Sequence, residues 1–192
     1  MSTNVTYDVP LGRNLTGAPG VLLSGWAVNT ILTISSGNPF SMFLGFDCSN
    51  GRVSGGNSGD RPDLKPGGNS NTILGSPNRW YDPSQFQLPP SCNTTAGSTK
   101  GFFGNVGRDT VRAPGHATLD LSLVKNAPLH KLSEGSSLQF RAELFNILNR
   151  ANFGVPFNQP LTQAGNPDPR AGAVDRTVTT SRQIQFGLKL SF

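Results

Sequence analysis

The chain has 192 residues, 14% of them charged, with 23 glycines, 15 prolines, two cysteines and a formal net charge of +5. Soluble domains carry about 25% charged residues, so so sparse a charge argues against an ordinary soluble surface. With no Lys/Arg run interleaved with aromatics and no apolar run of about 18 residues, the pattern also argues against nucleic-acid binding and against a transmembrane helix.

Side chains of a strand alternate between two faces, so period-two patterning marks a strand with one oily and one wet side. The first such run is Asn4–Pro10, with Val5, Tyr7 and Val9 opposite Asn4, Thr6 and Asp8. The second covers about Leu23–Ser36, where Trp26, Val28, Leu32 and Ile34 share a face and Ile31 interrupts the polar one. The third, Ala117–Lys125, sets Ala117, Leu119, Leu121 and Leu123 against Thr118, Asp120 and Ser122. The fourth, Leu138–Leu148, sets Leu138, Phe140, Ala142 and Leu144 against Gln139, Arg141 and Glu143. Its good helix formers make a helix the competitor there, and the strict alternation to Leu144 favours a strand. The fifth, Ser181–Phe192, places Ile184, Phe186, Leu188, Leu190 and Phe192 on one face and Gln183, Gln185, Gly187, Lys189 and Ser191 on the other. A tilted strand crosses a bilayer in about 9–11 residues, which this run provides.

The links alternate between short (Leu11–Leu22, Asn126–Ser137) and long (37–116, 149–180). Bacterial outer-membrane barrels alternate in the same way between short periplasmic turns and longer extracellular loops. With Phe192 at the periplasmic rim, both long links fall outside. The 37–116 link is rich in Gly, Asn, Ser and Pro, yet it carries Trp80, Tyr81, Phe86, Phe102 and Phe103, enough for small clusters and short hairpins of its own. The N-terminus, Met1–Tyr7, shows neither the basic nor the apolar region of a secretory signal.

Few residues invite chemistry. Cys48 and Cys92 lie in the same long link, which fits a disulfide in an oxidising compartment, with two unrelated thiols as the alternative. His116 and His130 stand apart at opposite ends of one strand, and no nucleophile elbow, zinc motif or phosphate-binding loop is present. The glycine-spaced run Gly101–Gly107 reads as a turn-forming loop. Asp60 and Asp63 could touch a cation, but beside Pro62 they read as turn residues. The triplets starting at Asn4, Asn14 and Asn93 match an N-glycosylation pattern that matters only in a eukaryotic secretory setting. Asp120, Arg141, Glu143 and Lys189 fall on polar strand faces, where a barrel would turn them to its lumen to pair with each other or with a plug. No enzyme activity, metal or cofactor is expected.

A series of motifs adds a resemblance. Gly25–Phe40, with its Ser-Gly-Asn-Pro-Phe turn, is similar to a strand and turn of TonB-dependent receptors, most of all the Oar-like group with an N-terminal carboxypeptidase-regulatory-like domain. The same holds, in order, for Arg61-Pro-Asp63, Trp80–Phe86, Gly104–Asp109, Pro114–Lys125, Phe140–Asn149, Asn152-Phe-Gly154 and Arg182–Phe192. The resemblance implies a plugged barrel of about 22 strands that takes up a bulky nutrient using energy coupled from the inner membrane. It also implies that Gln185, Gly187, Lys189, Leu190 and Phe192 form the signal read by the barrel-assembly machinery. The plug, energy-coupling segment, regulatory-like domain and remaining strands are not found in these residues.

The expectation is therefore an all-β chain, an antiparallel transmembrane β-barrel segment of about five strands. It would be a partial barrel, an open curved sheet, with one long extracellular loop. Its place would be the outer membrane, its partners the outer-membrane lipid, the assembly machinery and the missing plug and strands. Val5, Tyr7, Trp26, Val28, Leu119, Leu121, Phe140, Leu144, Phe186, Leu188 and Leu190 would meet lipid. The alternative is a soluble secreted β-sandwich or adhesin-like binding module, whose apolar faces would pack on a second sheet.

Overall fold

The computed structural model describes residues 1–12, 14–49, 59–92, 103–129 and 135–192. His130, Phe102, Gly101, the Asn93 triplet and most of the glycine-rich 51–59 stretch lie outside the described residues. In chain order the elements are β1 (Ser2–Val9), helix α1 (Gly17–Leu23), β2 (Trp26–Ser35), β3 (Pro39–Phe40), β4 (Asp63–Leu64), β5 (Ile73–Ser76), β6 (Arg79–Tyr81), β7 (Phe86–Gln87), β8 (Val111–Arg112), β9 (His116–Pro128), β10 (Ser137–Phe145) and β11 (Gln183–Ser191). They form two compact units.

The first unit comprises Met1–Ser35, His116–Ala151 and Thr179–Phe192. It is an open antiparallel sheet in the order β1-β2-β9-β10-β11, with β1 and β11 at its edges. Each of the five expected strands is present and each pairs with its neighbour in the chain order of the sheet. The register keeps the period-two faces together across all five. Tyr7 lies opposite Val28, Val28 opposite Leu123, Leu123 opposite Ala142 and Ala142 opposite Phe186. A slip of one residue in any pair would move a strand's apolar set to the other side. The stacked rings of Phe140 and Phe186, 6.2 Å apart, mark the same face across β10 and β11.

That apolar face is bare. Phe186 is 73% and Leu188 71% exposed, and Val5, Tyr7, Ile34, Ile184 and Leu190 are exposed with them. A sandwich would bury these side chains against a second sheet, so the all-β open-sheet reading stands and the packed-sandwich arrangement does not fit.

Several boundaries differ from those expected: β1 starts earlier, at Ser2, β9 runs on to Pro128 and β11 spans Gln183–Ser191, and two further shifts have a local cause. The second strand begins at Trp26, because Gly17–Leu23 winds into α1. Ser24 ends that helix by donating both its N–H and its hydroxyl to the Gly20 carbonyl. Gly25 then takes a left-handed φ of 72°, and a Cβ there would sit 2.3 Å from the Asn126 carbonyl oxygen, so glycine is required. The fourth strand stops at Phe145, because Asn146 turns left-handed at φ 48°. The helix that competed for this segment does not form.

The second unit comprises Ser36–Gly115 and Asn152–Val178. The two long links read as loops thus fold together around one core of Phe40, Met42, Leu44, Tyr81, Phe86, Val106, Val111, Leu161 and Ala171. Three short ribbons frame it: β3 with β8, β4 with β7, and β5 with β6. The second link is laced into the first by main-chain bonds, Phe43 N–H to Asn158 O, Trp80 N–H to Gly172 O and Val174 N–H to Pro77 O.

Candidate functional site

The polar face of the sheet is the first surface that could handle a solute. On it Arg141 and Glu143 approach to 3.9 Å, with both side chains at least a third exposed, so solvent screening leaves the pair little energetic weight. Lys189 lies opposite Gln139 in the register and Glu143 opposite both Ser122 and Gln185. Asp120 is not paired with any of these charges; its Oδ1 accepts the Asn146 N–H at 2.8 Å. The four charges expected on this face share it, and only Arg141 and Glu143 meet among the described residues.

Asn146 organises the corner where β10 ends, a role that the sequence reading did not assign. Only 4% of the residue is exposed. Its Nδ2 donates to the carbonyls of Arg150 and Thr180, each at 3.0 Å, and its Oδ1 accepts the Arg150 N–H at 3.1 Å. Asn149, also left-handed, accepts the Arg182 N–H on Oδ1 at 3.0 Å. These bonds tie the end of β10 to the approach of β11. Beside them lies a hollow of about 410 Å³ lined by Thr118, Asp120, Asn146, Thr180 and Gln183 together with the Phe145 ring, so amide and hydroxyl groups and one carboxylate stand beside an aromatic surface. Such a lining can exchange hydrogen bonds with a polar solute.

The second unit is built for rigidity. Cys48 and Cys92 are joined by a disulfide. Next to it, Asp60 is buried and accepts the N–H groups of Cys48 and Ser49 and the Ser49 hydroxyl. Burial pushes the Asp60 carboxyl up, but these hydrogen bonds together outweigh it and hold the group below the ordinary carboxylate value. Asp63 accepts the Asn105 N–H at 2.7 Å while Asn105 Oδ1 accepts the Leu64 N–H. Both aspartates thus serve the chain rather than a cation. Among the described residues no group of three or more His, Cys, Asp or Glu could hold a metal ion.

Tyr81 is fully buried, its hydroxyl donates to the Phe157 carbonyl at 2.9 Å, and burial pushes its pKa up from the ordinary phenol value. The hydrogen bonds that Asp82 accepts from Gln85 and Ser84 lower its pKa. Gly104, one of the two glycines of the spaced run among the described residues, presses on main chain: a Cβ would lie 2.0 Å from the Arg61 carbonyl oxygen. Gly104 therefore serves close packing of main chain on main chain. An open hollow of about 420 Å³ lies between Phe43, Phe103, Arg61 and Arg108.

The five residues of the expected assembly signal fall on edge strand β11 and just beyond it. Gln185, Gly187 and Lys189 occupy the polar face, Leu190 the apolar one, and Phe192 is 97% exposed. His116 opens β9 opposite Ser35, without a second histidine beside it among the described residues.

An antiparallel meander with one bare apolar face, one polar face and long insertions at a single end is the wall of a bilayer-spanning β-barrel. The family model described as an outer membrane beta barrel domain matches residues 1–185, and the chain belongs to that family. Its place is therefore the outer membrane. No curated protein and no solved structure matches the chain.

Proposed function

We propose that the chain is the C-terminal part of the barrel of a TonB-dependent, Oar-like receptor, supplying wall strands and loop structure for the energised uptake of a bulky nutrient. The observation that carries this reading is the open five-stranded meander whose two outer edges have no partner strand among the described residues. A complete barrel has no edges, so these strands belong to a larger wall. The ordered motifs from Gly25 to Phe192 favour the Oar-like group for that wall. The second unit, with a disulfide and a core of its own, suits the solute-facing side of such a receptor. The role is binding and passage rather than catalysis. Lipid meets the apolar face, the plug and remaining strands complete the lumen, and the assembly machinery reads β11 through Gln185, Gly187, Lys189, Leu190 and Phe192.

The test is deletion of the encoding gene in its own host, followed by growth on limiting supplies of bulky nutrients such as metal chelates, oligosaccharides and peptides. The proposal expects a defect on at least one of them that is reproduced by inactivating the inner-membrane energy coupling. Uptake that survives loss of the coupling, in cells that fail without this gene, would refute the energised-receptor reading while leaving the barrel intact.

A further inference from the structure

The link between β1 and β2 carries more apolar surface than a water-facing turn needs. Leu11, Leu15, Val21, Leu22 and Leu23 are all exposed, Leu22 to 69%. Helix α1, Gly-Ala-Pro-Gly-Val-Leu-Leu, has no polar side chain. Exposed aliphatic residues are ordinary when scattered, but a contiguous set marks a contact surface. The link leaves the sheet at Val9 and returns at Trp26, which face each other in the register on the apolar side. The link thus joins the apolar strand face at both of its ends.

Lys125 is a second, independent observation. It lies on the apolar face of β9, opposite Trp26 in β2 and Phe140 in β10, the one charged residue on that face among the described residues. Its Nζ donates to the carbonyl oxygens of Val21, at 2.6 Å, and Ser24, and stands 5.6 Å from the centre of the Trp26 ring. The Trp26 indole N–H donates to the Leu22 carbonyl at 3.0 Å. The last carbonyls of α1 thus take up a cation and an indole from the lipid-facing side. Lysine and tryptophan side chains with an apolar body and a satisfied polar tip are what the membrane–water boundary favours.

We propose that α1, with Leu11 and Leu15, lies in the headgroup–acyl boundary of the bilayer, a lipid-binding rim that continues the lipid-facing surface of the strands and is anchored to the wall by Lys125 and Trp26. The inference rests on the reading that the apolar sheet face meets lipid, and its test separates the two. The complete outer-membrane protein carrying Leu22→Cys is labelled with a polarity-sensitive fluorophore, the native cysteines being bonded to each other. It is reconstituted in phosphatidylcholine vesicles containing lipids spin-labelled at shallow or deep acyl positions. Leu188→Cys, on the strand face, serves as the reference, and Ala18→Cys repeats the test should Leu22→Cys fail to fold. The rim label should give blue-shifted emission, several-fold stronger quenching by the shallow spin label than by the deep one, and little quenching by aqueous iodide. Quenching by iodide with Leu188→Cys still quenched by lipid would overturn the rim and keep the membrane-facing sheet. Protection from both quenchers would mean a protein partner and would also overturn it. Iodide quenching at both positions would overturn the rim together with the lipid-facing sheet.

Discussion

Asn146 is the residue on which the corner between β10 and β11 depends, and its replacement by alanine is the sharpest test of that corner. Asn146→Ala removes three side-chain hydrogen bonds, to the carbonyls of Arg150 and Thr180 and from the Arg150 N–H. Arg150 and Thr180 are exposed residues that regain water, so each bond counts near the lower half of the usual 0.5–1.5 kcal/mol. Alanine must also hold φ at 48°, where a Cβ without a short polar side chain costs about 1 kcal/mol more than asparagine. The expected loss is about 3 kcal/mol, or on the order of 100-fold in the folding equilibrium. Asn146→Gly loses the same bonds without the backbone penalty and should cost about 1 kcal/mol less. The assay is urea unfolding of the complete barrel in lipid vesicles, followed by the shift between folded and unfolded bands on unheated gels. Should Asn146→Ala stay within about 0.5 kcal/mol of wild type, or Asn146→Gly prove no better than alanine, the corner is not held in the way described.

The second unit offers two further tests. The Cys48–Cys92 bond has a sequence separation of 44, for which chain entropy gives about 4 kcal/mol; reduction should speed protease cleavage within residues 36–115 by orders of magnitude while the strands stay protected, and equal rates would refute it. Asp60 has a depressed carboxyl pKa in the folded protein, so its stabilisation is full above the ordinary value of 3.8 and is lost as pH falls below it through the folded value. Opening of the same segment, followed by amide exchange, should therefore accelerate over that window. Asp60→Asn should start less stable and show a flatter slope, the remainder coming from Asp82, whose pKa is also lowered. On the wall, Leu188→Arg should cost about 2–4 kcal/mol in lipid, whereas Lys189→Gln, one residue along on the polar face, should stay within about 0.5 kcal/mol; equal effects would contradict the assignment of faces.

The sheet was legible because its signal is local and repeated. Alternation in Gln183–Ser191 or Leu138–Leu144 needs no partner to be read, and the registers that join them follow from matching oily face to oily face. What could not be read depends on contacts between distant residues. Helix α1 is too short for a period of 3.6 to show, and it rests on Ser24, Gly25 and a lysine far along the chain. The left-handed turn at Asn146 interrupts an alternating run with a residue that looks ordinary until Asp120, Arg150 and Thr180 surround it. The glycine-rich composition of 37–116 concealed a core because its ribbons are only two to four residues long, shorter than any window in which periodicity can be counted. The pairing of Cys48 with Cys92 was readable as a chance of position; the aspartate that braces it was readable only as a turn.

The joining of the two long links into one folded unit has a cause in strand parity. In an antiparallel meander every second connection leaves from the same rim. Here Ser35 opposite His116 and Phe145 opposite Gln183 put both departures at one end. Links from opposite rims would be kept apart by the roughly 30 Å of hydrocarbon that the strands cross, whereas links from one rim can share a core. Residues 152–178 supply Leu161 and Ala171 to the core begun by Phe40, Tyr81 and Phe86, and the carbonyl that accepts the Tyr81 hydroxyl bond. The two links thus contribute to one shared core. Parity therefore allows the two links to share a core, and a variant that moved either departure to the opposite rim should lose that core even with every loop residue retained.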